Sequence, residues 1–170
     1  RGMLGMARLG RGEDGSEIDR YYPVLLEAYG AAIDVHTVMY PGAMDAVEEL
    51  KRRGYGVGIC TNKPEGLAET LLRSLGVRDA FGSMIGADTL PVRKPDPAPL
   101  FEAARRAAGV PEKCLLVGDS DTDRNAARAA RVPRVLVTFC PAGGDIAELS
   151  PEALLQRYVA LHELTDQLLS

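Results

Sequence analysis

The stretch LLVGDSDTDRNAARAA, Leu115 to Ala130, decides how the rest of the chain is read. An apolar run, Leu115-Leu116-Val117, meets Gly118 and then three acids, Asp119, Asp121 and Asp123, before a helical pattern begins. Two carboxylates about 4 Å apart repel by ~4 kcal/mol at an effective dielectric of ~20. So much like charge at the end of a buried strand calls for a cation. Acids in the first turn of a helix are favoured by its dipole, which accounts for Asp121 and partly for Asp123. It accounts less well for Asp119, which directly follows the strand. Hard oxygen ligands on such a loop suit Mg²⁺, held by one or two carboxylates together with substrate oxygens and water.

Working outward, apolar runs alternate with helical patterns. Tyr55–Cys60 reads as a buried strand, Gly82–Ala87 as a weaker one, Cys114–Gly118 and Pro133–Phe139 as two more. Helices are expected over Glu17–Ala31 with Ser16 as cap, over Ala43–Arg53, over Pro64–Leu75 and after Asp96 and Pro97. Others are expected over Thr122–Ala130, from Ser150 onward, and in the closing LHELTDQLL. In the second of these, Ala43, Val47 and Leu50 form the apolar stripe. Glu48–Arg52 and Glu49–Arg53 are spaced to pair, and Gly54 is placed to stop the helix. This alternation predicts an α/β fold with a Rossmann-like parallel sheet.

Ligands of such sheets bind beyond the carboxyl ends of the strands. That rule selects Thr61-Asn62-Lys63, the Lys94 region and Asp119 to Asp123. Thr61 offers a hydroxyl where a helix is about to start, a setting that favours phosphate; Thr61 and Asn62 also suit plain helix capping. Lys94 is followed by three prolines, Pro95, Pro97 and Pro99, that stiffen its loop. Together, a phosphate cradle, a charge-neutralising lysine and a magnesium carboxylate are parts of a phosphoryl-transfer site.

The chain has 170 residues, 46% hydrophobic and 26% charged, the size of one domain or of one domain with a small appendage. A formal charge of -4 argues against nucleic acid, and no apolar run approaches the ~20 residues of a membrane span. Cys60, Cys114 and Cys140 are odd in number and lack CxxC spacing, which suits a reducing cytoplasm over a disulfide framework or a zinc site. His36 and His162 have no partner pattern and read as structural. The partner class that remains is a small phosphorylated metabolite, with oligomeric state open.

ICTNKP (Ile59–Pro64), RKPDP (Arg93–Pro97) and VGDSDTD (Val117–Asp123), in that order, resemble the haloacid dehalogenase superfamily, particularly its phosphoglycolate-phosphatase-like branch. YPGAMDAVEELKRRGYGVGICTNKP, Tyr40 to Pro64, looks like that branch throughout. The resemblance implies Thr61 as the phosphate-binding hydroxyl and Asn62 beside it. It implies Lys94 as the charge clamp, Asp119 as a magnesium ligand, and Asp123 as a further metal-site carboxylate acting from behind that ligand or through water. Arg131 stands where such proteins often carry a glycine.

One departure matters. The family's first motif, an aspartate-rich DxDGT-like signature at the end of a first strand, is absent. RGEDGSEID, Arg11 to Asp19, has no apolar strand before it, so Asp14 is not assigned. Residues 1–38 look instead like the latter part of a helical cap, and 39–170 like the α/β core without its first strand. The chain opens Arg1-Gly2-Met3, and the nucleophile is expected upstream of Arg1. A central strand buries about five side chains worth roughly 1.5–3 kcal/mol each, comparable with the stability of a whole domain. The 170 residues alone are therefore expected to be aggregation-prone and inactive. The leading expectation is a Mg²⁺-dependent phosphatase for a small phosphate monoester, acting through an aspartyl-phosphate. A phosphate-ligand binding or regulatory module without catalysis, and a sugar-phosphate mutase, are the alternatives. Specificity is expected to lie in the cap, where Arg1 and Arg8 could meet a substrate carboxylate.

Overall fold

A computed structural model describes residues 37–139 and 151–170. The chain divides into two units, Arg1–Thr37 and Val38–Ser170. The expected cap helix over Glu17–Ala31 therefore lies outside the described residues. So do Arg1, Arg8, Asp14, Ser16, His36, Cys140 and Ser150.

The second unit alternates helices and parallel strands. Helix α1 spans Ala43–Arg52 and buries Ala43, Ala46, Val47 and Leu50 on one face. Gly54 ends it at φ 89, a left-handed conformation that suits glycine, and its N–H bonds the Lys51 carbonyl at 2.9 Å. The expected Glu48–Arg52 pair does not form. Arg52 and Arg53 both turn to Glu49, at 2.7 and 2.6 Å, because its two oxygens serve both guanidiniums.

Strand β1 (Gly58–Cys60) runs parallel to β2 (Ser83–Ile85), with helix α2 (Glu65–Ser74) between them in sequence. Helix α3 (Ala98–Arg106) leads to β3 (Leu116–Gly118), helix α4 (Asp121–Ala130) to β4 (Arg134–Val137), and β5 (Ala153–Leu155) precedes α5 (Leu161–Leu169). Asp96 accepts the Ala98 N–H at 2.9 Å, so the Asp-Pro pair does start α3, one residue later than the spacing suggests.

β5 corrects an expectation. The segment after Ser150 reads as helix, yet Ala153–Leu155 forms a strand parallel to β4, with Val135 opposite Ala153 and Val137 opposite Leu155. Pairing with β4 buries Leu155 completely, and that tertiary gain overrides the helical preference of Glu-Ala-Leu-Leu.

The strands form two sheets, β1-β2 and β3-β4-β5. Among the described residues β1 and β3 are each laddered on one side only. β1 is accordingly less buried than its sequence suggests. Gly58 is exposed and Ile59 and Cys60 half-buried, whereas β2 is buried throughout. Side chains join the halves. α3 packs on β1, β2 and α4. One apolar cluster gathers Ala46, Leu50, Val135, Val137, Leu155 and Leu161, and another Leu100, Leu116, Ala126, Ala127 and Val132. No described helix is long and apolar enough to cross a membrane.

Candidate active site

The carboxyl ends of β1 and β3 meet at Lys94. Its side chain is nine-tenths buried, and its ammonium donates to the Cys60 carbonyl at 2.7 Å and to Asp123 Oδ1 at 2.6 Å. One side chain thus ties the last residue of β1 to the first turn of α4. Lys94 can be buried because both of its partners are oxygen acceptors, one of them anionic. Asn62 helps place it: an Nδ2 hydrogen bonds the Lys94 carbonyl at 2.9 Å.

Asp123 is held as completely. Its Oδ2 accepts the Ser120 hydroxyl at 2.6 Å and the Asp119 N–H at 3.3 Å. Ser120 caps α4, its Oγ accepting from the Asp123 N–H at 3.4 Å. Burial by itself would raise the Asp123 carboxyl; the charge and hydrogen bond of Lys94, with those of Ser120 and Asp119, outweigh it and keep the group below its ordinary value. Gly118 makes room for this arrangement. A Cβ there would lie 2.5 Å from Asp123 Cβ and Cγ.

Thr61 begins the turn after β1. Its N–H continues the ladder to the Ile85 carbonyl at 2.9 Å, and its Oγ1 accepts the Lys63 N–H at 3.1 Å, which leaves the hydroxyl hydrogen to donate. Asp119, at the end of β3, is exposed, and its carboxylate makes no hydrogen bond or ion pair among the described residues. An open carboxylate on the rim is the donor that Mg²⁺ uses, with substrate oxygens and water completing its shell, so the residues fit such an ion. No cluster of three or more His, Cys, Asp or Glu side chains stands ready for a metal among the described residues. Cys60 contributes its carbonyl and not its sulfur, because burial pushes the thiol up to about 11.

The family model for haloacid dehalogenase-like hydrolases matches residues 8–131. The chain belongs to that family. Curated relatives include a phosphoglycolate phosphatase of Mesorhizobium japonicum, 37% identical over 160 residues, covering 94% of this chain and 70% of the relative. One of Rhodospirillum rubrum is 43% identical over 123 residues, covering 72% of this chain and 51% of the relative. The chain thus spans between about half and seven-tenths of the length of these curated relatives. Among solved structures, a predicted phosphoglycolate phosphatase from Haemophilus somnus superposes with a TM-score of 0.79 at 27% identity, covering 90% of this chain and 68% of that one. A HAD-superfamily hydrolase from Geobacter sulfurreducens superposes at 0.61 with 29% identity, covering 75% and 61%.

The structure brings Lys94, Asp123 and the Asp119 backbone into one hydrogen-bonded group and sets Lys94 against the residue before Thr61. The residue that sequence reasoning missed is Ser120. Its signal was present: serine followed three residues later by an acid is a helix-start signature.

Proposed function

We propose that the whole protein is a Mg²⁺-dependent phosphatase for a small phosphate monoester, of the kind phosphoglycolate represents. The observation that carries this reading is the buried Lys94 ammonium, fixed between Asp123 and the carbonyl of Cys60, the residue before Thr61. The names of the curated relatives support the substrate class.

In this reading Thr61 donates its hydroxyl hydrogen to a phosphate oxygen, and Asn62 has a second amide hydrogen for the same group. Lys94 places a positive charge where negative charge gathers as the ester bond breaks. Because Lys94 is already hydrogen-bonded and desolvated, little reorganisation accompanies that step. Asp119 holds the metal and Asp123 acts behind it, positioning Lys94. When bound, Mg²⁺ neutralises phosphoryl charge and orients the substrate. A route through an aspartyl-phosphate needs a further carboxylate: it attacks phosphorus, the alcohol leaves, and water then releases inorganic phosphate. Residues outside the described ones are to supply that group. Residues 1–38 are taken as part of the helical cap. The free thiols Cys60 and Cys114 accord with a cytoplasmic setting.

The test is phosphate release from 2-phosphoglycolate by the full-length protein, with and without Mg²⁺. Metal-dependent turnover that falls about 100-fold or more in Thr61→Val is the expected result. Turnover that is indifferent to Mg²⁺ and to Thr61 overturns the reading.

A further inference from the structure

The outer face of α4 has a composition that the phosphatase reading does not use. Arg124, Arg128 and Arg131 recur at helical spacing, so three guanidiniums share one side, and Arg134 joins them from the start of β4. With Ala127, Val132, Pro133 and Glu152 they line a cavity of about 490 Å³. Like charges spaced this way weaken a helix. They also gather on a protein whose formal charge is -4.

Among the described residues two acids approach this group. Asp121 lies 3.5 Å from Arg124 and Glu152 lies 3.2 Å from Arg134. The side chains of Arg128 and Arg131 meet no acid among the described residues, and the Arg124 Nε–H is shielded from solvent without an acceptor. Arg131 adds a backbone observation. It ends α4 at φ 57 and ψ 38, the left-handed region that disfavours a residue with a Cβ. A glycine would sit there without strain, yet the position holds a long cation.

We propose that Arg124, Arg128, Arg131 and Arg134 form a second anion site that binds small molecules carrying two or more linked phosphates. Guanidinium forks meet phosphate oxygens two at a time. Among the described residues four arginines face Asp121 and Glu152, which leaves two net positive charges for the linked phosphates of a diphosphate. The volume falls among those of small-molecule sites, and Val132 and Pro133 give it an apolar wall. The site lies at the amino end of β4, whereas Lys94 and Asp123 lie at the carboxyl ends of β1 and β3. The ten-residue α4 separates the two edges by about 15 Å.

The experiment is calorimetric titration of the full-length protein with pyrophosphate, ADP and sulfate, without Mg²⁺ and at fixed ionic strength. Saturable pyrophosphate binding is expected, kept in Thr61→Val and weakened about tenfold or more in Arg128→Ser and in Arg131→Gly. A thermal melt of each variant confirms that it is folded. ADP binding more tightly than pyrophosphate supports the site and assigns it to nucleotides; equal binding supports it and assigns it to the diphosphate group alone. The proposal is overturned by absence of saturable binding, by sulfate binding as well as pyrophosphate, or by arginine variants that bind as the wild type does. Binding is read without turnover, so its failure is separate from failure of the phosphatase reading.

Discussion

At the first turn of α4 the Asp123 carboxylate meets Lys94, Ser120 and the Asp119 N–H, so both of its oxygens are engaged. Toward the other end of the same helix, Arg128 and Arg131 meet no acid among the described residues. The difference follows from burial. Lys94 and Asp123 are nine-tenths buried, and an ion out of water requires a full set of partners. The arginines keep contact with solvent, which tolerates unmatched charge and leaves it available to an incoming group. A fully answered charge fixes geometry, while an unanswered one invites a ligand.

The strongest way to break this contrast is Lys94→Ala, which leaves Asp123 buried without its cation. Urea unfolding is expected to show a loss of about 3–5 kcal/mol, together with loss of turnover. A loss below about 1 kcal/mol would mean that water reaches Asp123 freely and that the pair is not a buried one.

Acid attacks the same pair from the other side. The folded Asp123 carboxyl lies below its ordinary value of 3.8. Its contribution to stability is therefore present above that ordinary value and is lost as pH falls through the lower folded value. The difference in melting temperature between wild type and Asp123→Asn is expected to stay level above about pH 4 and to shrink below it. A difference that shrinks between neutrality and pH 5 instead would contradict the downward direction.

At the far end the expected sign reverses. Arg131→Gly relieves a left-handed residue and one like-charge neighbour, and is expected to stabilise the fold by about 1 kcal/mol in the same urea assay. Destabilisation would show that the Arg131 side chain is held by contacts that outweigh its backbone cost.

The smallest effect on stability belongs to Asp119→Asn. Its carboxylate is exposed and unengaged among the described residues, so unfolding is expected to shift by less than about 0.5 kcal/mol while activation by Mg²⁺ falls sharply. Unchanged Mg²⁺ dependence would remove Asp119 from the metal site.

Much of this was legible in the sequence because it rests on local pattern. The apolar stripe of α1, the Asp-Pro start of α3 and the strand-to-acid junction at Gly118 are fixed by neighbours a few residues apart. Thr61, Lys94 and Asp119 could be singled out as candidates because parallel sheets put ligands at strand ends. What escaped depends on partners distant in sequence. Ala153–Leu155 is a strand only because β4 offers it an edge. The union of Asp123 with Lys94 crosses 29 positions, so spacing gave no sign that its oxygens would be committed to lysine and serine. Sequence alone assigns no role to the arginines of α4, because Arg134 joins them only in the fold.

Gly118 has a consequence for sequence variation. Its backbone lies outside the left-handed region, so nothing in its own conformation demands glycine. The demand comes from Asp123, whose Oδ2 would stand 2.7 Å from a Cβ at this position. The two sites are then one inherited unit, and drift at 118 is closed while the acid at 123 remains. A relative with glycine at 123 is free to carry alanine at 118; any other residue at 123 keeps a Cβ 2.5 Å from it.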